Sequence, residues 1–150
     1  MSAHGRHLGL DVGDRRIGLA LSDETATLAS PLATLLRVGP RKDAAAVAEL
    51  ARRHEVREVV VGLPLNMDGT RGPQARKVLA FAEALRRRLG VPVVAWDERL
   101  TTVEAHERLR EAGRGWRERK RVVDQAAAVV ILQEYLDHRH PAPPAAKGRA

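Results

Sequence analysis

Apolar and polar positions alternate from His7 to Asp23 in a pattern that predicts two short strands. Leu8, Leu10 and Val12 fall on one face of the first, with His7, Gly9 and Asp11 on the other. Gly13-Asp14-Arg15-Arg16 reverses the chain, and Ile17 to Ser22 returns as a second apolar strand. The stretch from Ala26 to Leu36, interrupted by Pro31, predicts a third strand at a sheet edge, because proline has no N–H to give to a ladder. After a break at Gly39-Pro40 the period changes. Ala44, Val47, Leu50 and Ala51 share one helical face and predict a helix from Asp43 to His54.

Glu58 to Leu63 is a nearly continuous apolar run, as expected of a buried parallel strand. It ends in a turn from Gly62 to Asn66, followed by a loop from Met67 to Gly72; together they are placed either to close over a substrate or simply to connect two elements. Pro73 suits the first turn of a helix that runs to about Leu89, where Gly90 ends it. Val91 to Trp96 reads as another buried strand. Thr101 or Thr102 is placed to cap a helix from Val103 to Ala112. Arg114 to Arg121 then forms a basic linker, and a last helix runs from Val122 or Asp124 to about His138. Three strands followed by alternating helices and strands predict an α/β fold. Its mixed sheet has three antiparallel strands, then two parallel ones, with helices on both faces. This order puts the first strand at the centre and the last strand close to it.

The 150 residues suffice for one domain with a true core, expected over residues 1–138. The Pro- and Ala-rich segment 139–150 is expected to be disordered. Aromatic residues make up 3% of the chain, so the core must be aliphatic. Cysteine is absent, which excludes disulfides and thiolate metal sites. The N-terminus lacks the apolar core of a signal peptide, and no run approaches the roughly 18 apolar residues of a membrane span. A cytoplasmic protein with no membrane partner is expected. The formal net charge of +7 favours a polyanionic partner, most simply nucleic acid.

Asp11 changes this picture most. A carboxylate within an apolar strand is costly unless something pairs with it. Two further carboxylates suit such a partnership: Glu98 at the carboxyl end of the last strand and Asp124 at the start of the last helix. Ligands of open α/β sheets gather at the carboxyl ends of parallel strands, and Ala126, Ala127 and Ala128 allow a close helix approach. Converging carboxylates stay ionised together only around a cation, and oxygen donors without Cys point to Mg²⁺ or Mn²⁺. Such ions serve phosphodiester hydrolysis.

Each carboxylate also has a plainer role open to it. Asp11 suits hydrogen bonds from turn amides or Arg15, Glu98 a surface cluster with Asp97 and Arg99, and Asp124 a helix cap. Strand alternation sends Asp97 and Glu98 to opposite faces, so one of the two faces the site. Arg15, Arg16, Asn66, Arg99, Arg117 and Lys120 are the candidate substrate contacts, with Trp116 placed to stack on a base. The six histidines show no ligand spacing, and neither a Walker A motif nor a GxSxG elbow is present.

Four segments occur in order: GLDVGDRRIGLALSD (Gly9 to Asp23), VVGLPLNMDGT (Val60 to Thr70), WDERLTT (Trp96 to Thr102) and VDQAAAVVILQEYL (Val123 to Leu136). Together they resemble the YqgF/RuvX family of Holliday-junction-resolvase-like proteins, described as pre-16S rRNA nucleases of bacteria. The resemblance covers roughly residues 7 to 138. It implies an RNase H-like fold, divalent-metal phosphodiester cleavage and a role in maturing the 5′ end of 16S rRNA. By motif it puts the acidic site, as catalytic groups and metal ligands, on Asp11, Glu98 and Asp124, with Asp97 as second choice for the middle ligand. Structured RNA is the favoured partner and branched DNA the nearest alternative, in a monomer or a homodimer. A non-catalytic ribosome-assembly factor is a further alternative. An ATPase of the actin or sugar-kinase kind is disfavoured by the size of the chain.

Overall fold

A computed structural model describes the backbone of residues 5–100 and 119–139, and the side chains of residues 5–99 and 125–139. Strands β1 (His7–Val12), β2 (Arg16–Ser22) and β3 (Ala29–Leu36) are followed by helix α1 (Pro40–Arg53), strand β4 (Glu58–Leu63) and helix α2 (Pro73–Arg88). Strand β5 (Val93–Asp97) runs into a 3₁₀ turn, Glu98–Leu100, and helix α3 (Arg119–Arg139) is the last element described. The expected helix at 103–112 and the tail from residue 140 lie outside the described residues.

The five strands form one sheet in the order β3-β2-β1-β4-β5. β1, β2 and β3 pair antiparallel, whereas β1 with β4 and β4 with β5 pair parallel. The mixed sheet read from the sequence is therefore present, with β1 at its centre. β5 does not neighbour β1, because β4 lies between them.

The two faces are covered differently. Leu8, Leu10 and Val12 of β1 join Ile17, Leu19, Val59 and Val61 against α1 and α2. On the other face Ala20 and Val60 meet Ala128, Ile131, Leu132 and Leu136 of α3. Small residues let α3 come close. A Cβ on Gly9 would stand 2.6 Å from the Leu132 Cβ and 3.1 Å from the Ala128 carbonyl oxygen. Side-chain amides tie α3 to the edge strand: Gln125 Nε2 donates to Thr34 Oγ1 at 3.0 Å, and the Ala29 N–H donates to Gln133 Oε1 at 2.9 Å.

Several boundaries differ from the sequence reading, each for a local reason. β3 starts at Ala29 rather than Ala26, because Ala26 has φ 58° in a turn organised by Asp23. The Asp23 carboxylate accepts the N–H groups of Thr27 and Leu28 and the Thr25 hydroxyl. Those bonds, the Leu28 amide first, hold its pKa down at about 2. α1 starts at Pro40, which occupies the first helical turn instead of breaking the chain. α3 starts at Arg119, so residues 119–121 of the expected linker are helical, and residues 114–118 lie outside the described residues.

Candidate active site

The sheet register places a row of residues at one level on the α3 face. Asp11 of β1 pairs with Gly18 of β2, which pairs with Thr34 of β3. On the other side Leu10 pairs with Val61, so Asp11 falls level with Gly62, which pairs with Trp96 of β5. The central carboxylate is thus flanked on both sides by glycine. The missing side chain of Gly62 lets other groups come close to the sheet beside the half-buried Asp11.

Glu98 comes in from the 3₁₀ turn after β5. Its Oε2 is 2.7 Å from where a Gly62 Cβ would stand. Burial pushes the Glu98 pKa up to about 7, and the negative charges of Asp11 and then Asp97 add to the rise. The structure therefore brings Asp11 and Glu98 together although their strands are not neighbours.

Asp97 points elsewhere. Its carboxylate accepts the Arg99 N–H at 2.9 Å and the Arg99 guanidinium through Nε at 3.1 Å and Nη2 at 2.7 Å. Those bonds lower the Asp97 pKa despite partial burial. The same guanidinium donates through Nη1 to the Met67 carbonyl at 3.3 Å and lies over Gly69, whose φ is +88°. Arg99 thus links the turn bearing Glu98 to the loop after β4. Asn66 serves that loop internally: its side-chain amide donates to Thr70 Oγ1 at 2.9 Å, and its N–H to the Thr70 carbonyl at 2.9 Å.

The turn after Asp11 is braced from beneath. The Gly13 N–H donates to the Arg16 carbonyl at 2.8 Å, and Arg37 Nη1 donates to the Gly13 carbonyl at 2.9 Å. Arg37 is itself held by Asp43, 2.9 Å from its Nε. Gln74 of α2 reaches the Val12 carbonyl at 3.3 Å. Arg15 is exposed and Arg16 half-buried at this turn.

Asp124 is the sixth residue of α3, so it does not cap that helix. It stands one turn ahead of Ala128, the residue that packs over Gly9. The side chains of Asp124 and Lys120, and all of Trp116 and Arg117, lie outside the described residues. Among the described residues no three acidic or histidine side chains converge as a metal site.

The sequence reading gave no part to Gly18 or Gln125, and gave Gly62 a part only in the turn at the carboxyl end of its strand. Only the register reveals the two glycines as neighbours of Asp11. It also gave no part to His7, which is buried with its Nε2 2.9 Å from the Glu58 carboxylate. Tyr135 and Arg139 of α3 meet the same carboxylate, the Tyr135 hydroxyl at 3.1 Å. This cluster lies at the opposite end of β1 and fastens the end of α3.

Comparison with known proteins agrees with the fold and the motifs. A protein from Anaeromyxobacter dehalogenans strain 2CP-C, named "Putative pre-16S rRNA nuclease", is 52% identical over 136 residues, covering 91% of this chain and 99% of that one. A protein of the same name from Desulforudis audaxviator is 49% identical over 134 residues, covering 89% and 95%. Among solved structures, RuvC of T. thermophilus in complex with a Holliday junction substrate aligns with a TM-score of 0.62 at 22% identity, over 92% of this chain and 97% of that one. The fowlpox virus Holliday junction resolvase aligns with a TM-score of 0.55 at 12% identity, over 89% and 99%. These two likenesses identify the fold as RNase H-like. The family model for RuvX, described as Holliday junction resolvase, matches residues 5–138, and the chain belongs to that family.

Proposed function

We propose that this chain is a divalent-metal-dependent endonuclease that hydrolyses phosphodiester bonds of precursor 16S rRNA, in maturation of its 5′ end, in the cytoplasm. The observation that carries the reading is the Glu98 carboxylate seated over Gly62, where burial and the nearby Asp11 raise its proton affinity. Two carboxylates in one half-buried site repel each other, and a hard dication relieves that repulsion. The donor set is all oxygen, which fits Mg²⁺ or Mn²⁺. Asp11 and Glu98 are the ligands, with Asp124 as the third. A bound ion of this kind activates a water and stabilises the leaving oxygen.

The contribution of the chain is positional. Asp11 is fixed by pairing on both sides of its strand, and its turn is held from below by Arg37 and Gln74. The absent Gly62 side chain lets the Glu98 carboxylate stand over the sheet near Asp11. Arg15 and Arg16 at the turn, with Arg117 and Lys120 near the start of α3, contact substrate phosphates. Asn66 and Arg99 shape the rim opposite and contact the substrate there. The names of relatives about half identical over most of the chain support precursor rRNA as the substrate. Branched DNA is the second reading, favoured by the description of the family model as a Holliday junction resolvase.

The deciding assay gives the purified chain a precursor 16S rRNA fragment and a four-way DNA junction in parallel, with Mg²⁺ or Mn²⁺. RNA cleavage by the unmodified chain, with binding but no cleavage by Asp11→Asn, is the expected result. Equal cleavage by both would assign the activity to a contaminant. Cleavage of the junction alone would transfer the reading to DNA.

A further inference from the structure

The basic excess of this chain is concentrated in one layer. The segments that carry α1 and α2, residues 37–57 and 71–92, hold twelve Lys and Arg against four Asp and Glu. That is a formal +8, whereas the whole chain is +7. The layer covers the sheet face of Leu8, Leu10 and Val12, opposite the α3 face that carries Asp11 and Gly62. Among the described residues, the largest net positive charge therefore lies on the far side of the sheet from the carboxylates.

The cations of this layer are spaced regularly. On α1, Arg41-Lys42 is followed eleven residues later by Arg52-Arg53. On α2, Arg76-Lys77 is followed eleven residues later by Arg87-Arg88. Eleven residues make three helical turns, so both pairs on a helix share a face about 16 Å apart. All eight residues are exposed. Both helices run from the carboxyl to the amino end of parallel strands, and Arg52 Nη2 donates to the Arg88 carbonyl at 2.8 Å, so their ends are level. The four pairs therefore form two parallel cationic bands, one near the catalytic end and one at the opposite end.

Few acids offset them. Arg53 meets Glu49 at 3.5 Å, Arg87 meets Glu83 at 3.9 Å, and Lys77 meets Asp14 at 3.7 Å. All are exposed pairs of the kind that contribute little. Arg41 and Lys42 have no ion pair or side-chain hydrogen bond among the described residues.

We infer that the α1/α2 layer docks a double-helical segment of RNA by its phosphates, away from the bond that is cut. One band would suit a single strand following a groove. Two bands about 16 Å apart, without exposed aromatic rings between them for stacking, suit the two backbones of a duplex. The inference rests on the proposed nuclease function for the identity of the nucleic acid, not for the surface itself.

The test is binding by the full chain carrying Asp11→Asn, with and without Arg41→Gln, Lys42→Gln, Arg53→Gln and Arg88→Gln. These four leave the backbone contacts of Arg52 and Arg86 intact. The probes are an RNA hairpin with a long stem, the same stem as DNA, and a short single-stranded RNA, each titrated over a range of salt. The fourfold variant is expected to bind the RNA stem about tenfold or more weakly at low salt, with a salt slope shallower by roughly 2 to 4. Single-strand affinity should stay within twofold. An equal loss on stem and single strand, no loss on either, or a loss confined to the DNA stem would each overturn the inference. Thermal unfolding of the variant checks that it is folded. Stem binding that depends on these residues, together with no cleavage of any nucleic acid by the chain that retains Asp11, would sink the nuclease reading and leave the docking surface standing.

Discussion

The carboxylate of Glu98 occupies the space of the side chain that Gly62 lacks, its Oε2 lying 2.7 Å from the absent Cβ. Gly62→Ala should displace it. The added methyl would also stand 2.5 Å from Ile131 Cδ1. Both obstacles are ends of side chains, so the sheet stays and they move, at a cost of about 1–3 kcal/mol in stability. Cleavage should fall further than thermal unfolding accounts for. Gly90→Ala, with open space around its Cβ position, is the control and should change stability by less than about 0.5 kcal/mol.

Metal affinity should depend on pH through Glu98. With its pKa raised by burial to about 7, the side chain is protonated below neutrality and must lose that proton to bind a cation. Affinity for Mn²⁺ should weaken as pH falls through 7, and calorimetry in buffers of different ionisation heat should detect proton release. Glu98→Gln should remove that release. Metal-free stability has the opposite sign. Between the ordinary value of 4.5 and about 7 the folded state holds a proton that the unfolded state does not, so stability falls as pH rises across that window.

Asp43 supports the turn after Asp11 from a distance, through Arg37. Burial raises its pKa, but the Val38 N–H at 3.0 Å, Arg37 at 2.9 Å and the Gly39 N–H at 3.3 Å outweigh burial and leave it below the ordinary value. Its stabilising share is present above the unfolded pKa and is lost as pH falls through the folded one. Asp43→Asn should cost about 1–3 kcal/mol and flatten the acid limb of the stability curve. Arg37, released from Asp43, should then hold Gly13 less firmly, and cleavage should fall with little change in RNA affinity.

The Glu58 cluster should govern how well α3 stays down. Its carboxylate meets His7, Tyr135 and Arg139 while almost fully buried. Glu58→Ala should destabilise the fold by about 2–4 kcal/mol by leaving buried donors without an acceptor. Tyr135→Phe should cost about 1 kcal/mol. Hydrogen exchange should locate the loss of protection in the last turns of α3.

Much of the fold was legible because its signals are local. The β4 range, Glu58–Leu63, follows from an uninterrupted apolar run, and Pro31 marks the strand that proves to be an edge. The pairing of Asp11 with Glu98 was legible as chemistry, since a carboxylate in an apolar strand needs a partner. How they meet was not. The expected closeness of β5 to β1 gives way to β4 standing between them, and Glu98 crosses over Gly62. A glycine in a strand gives no sign of which side chain its absent Cβ admits until the register is known. Ala26 misled for a related reason, since an apolar residue in a left-handed turn looks like a strand residue. Asp124 next to a run of alanines resembled a cap, but a helix that starts five residues earlier leaves no signal there beyond its basic residues.

The intimate contact between Gly9 and the Ala128–Leu132 turn has a consequence for how the protein is made. The first strand and the last helix are separated by more than a hundred residues, yet each covers the other. Until α3 has been synthesised, the sheet face formed by Ala20 and Val60 has no lid, and a nascent chain halted before Arg119 presents an open, apolar surface beside Asp11. The space around Asp11 is thus closed only once this helix has been made and has docked on the sheet.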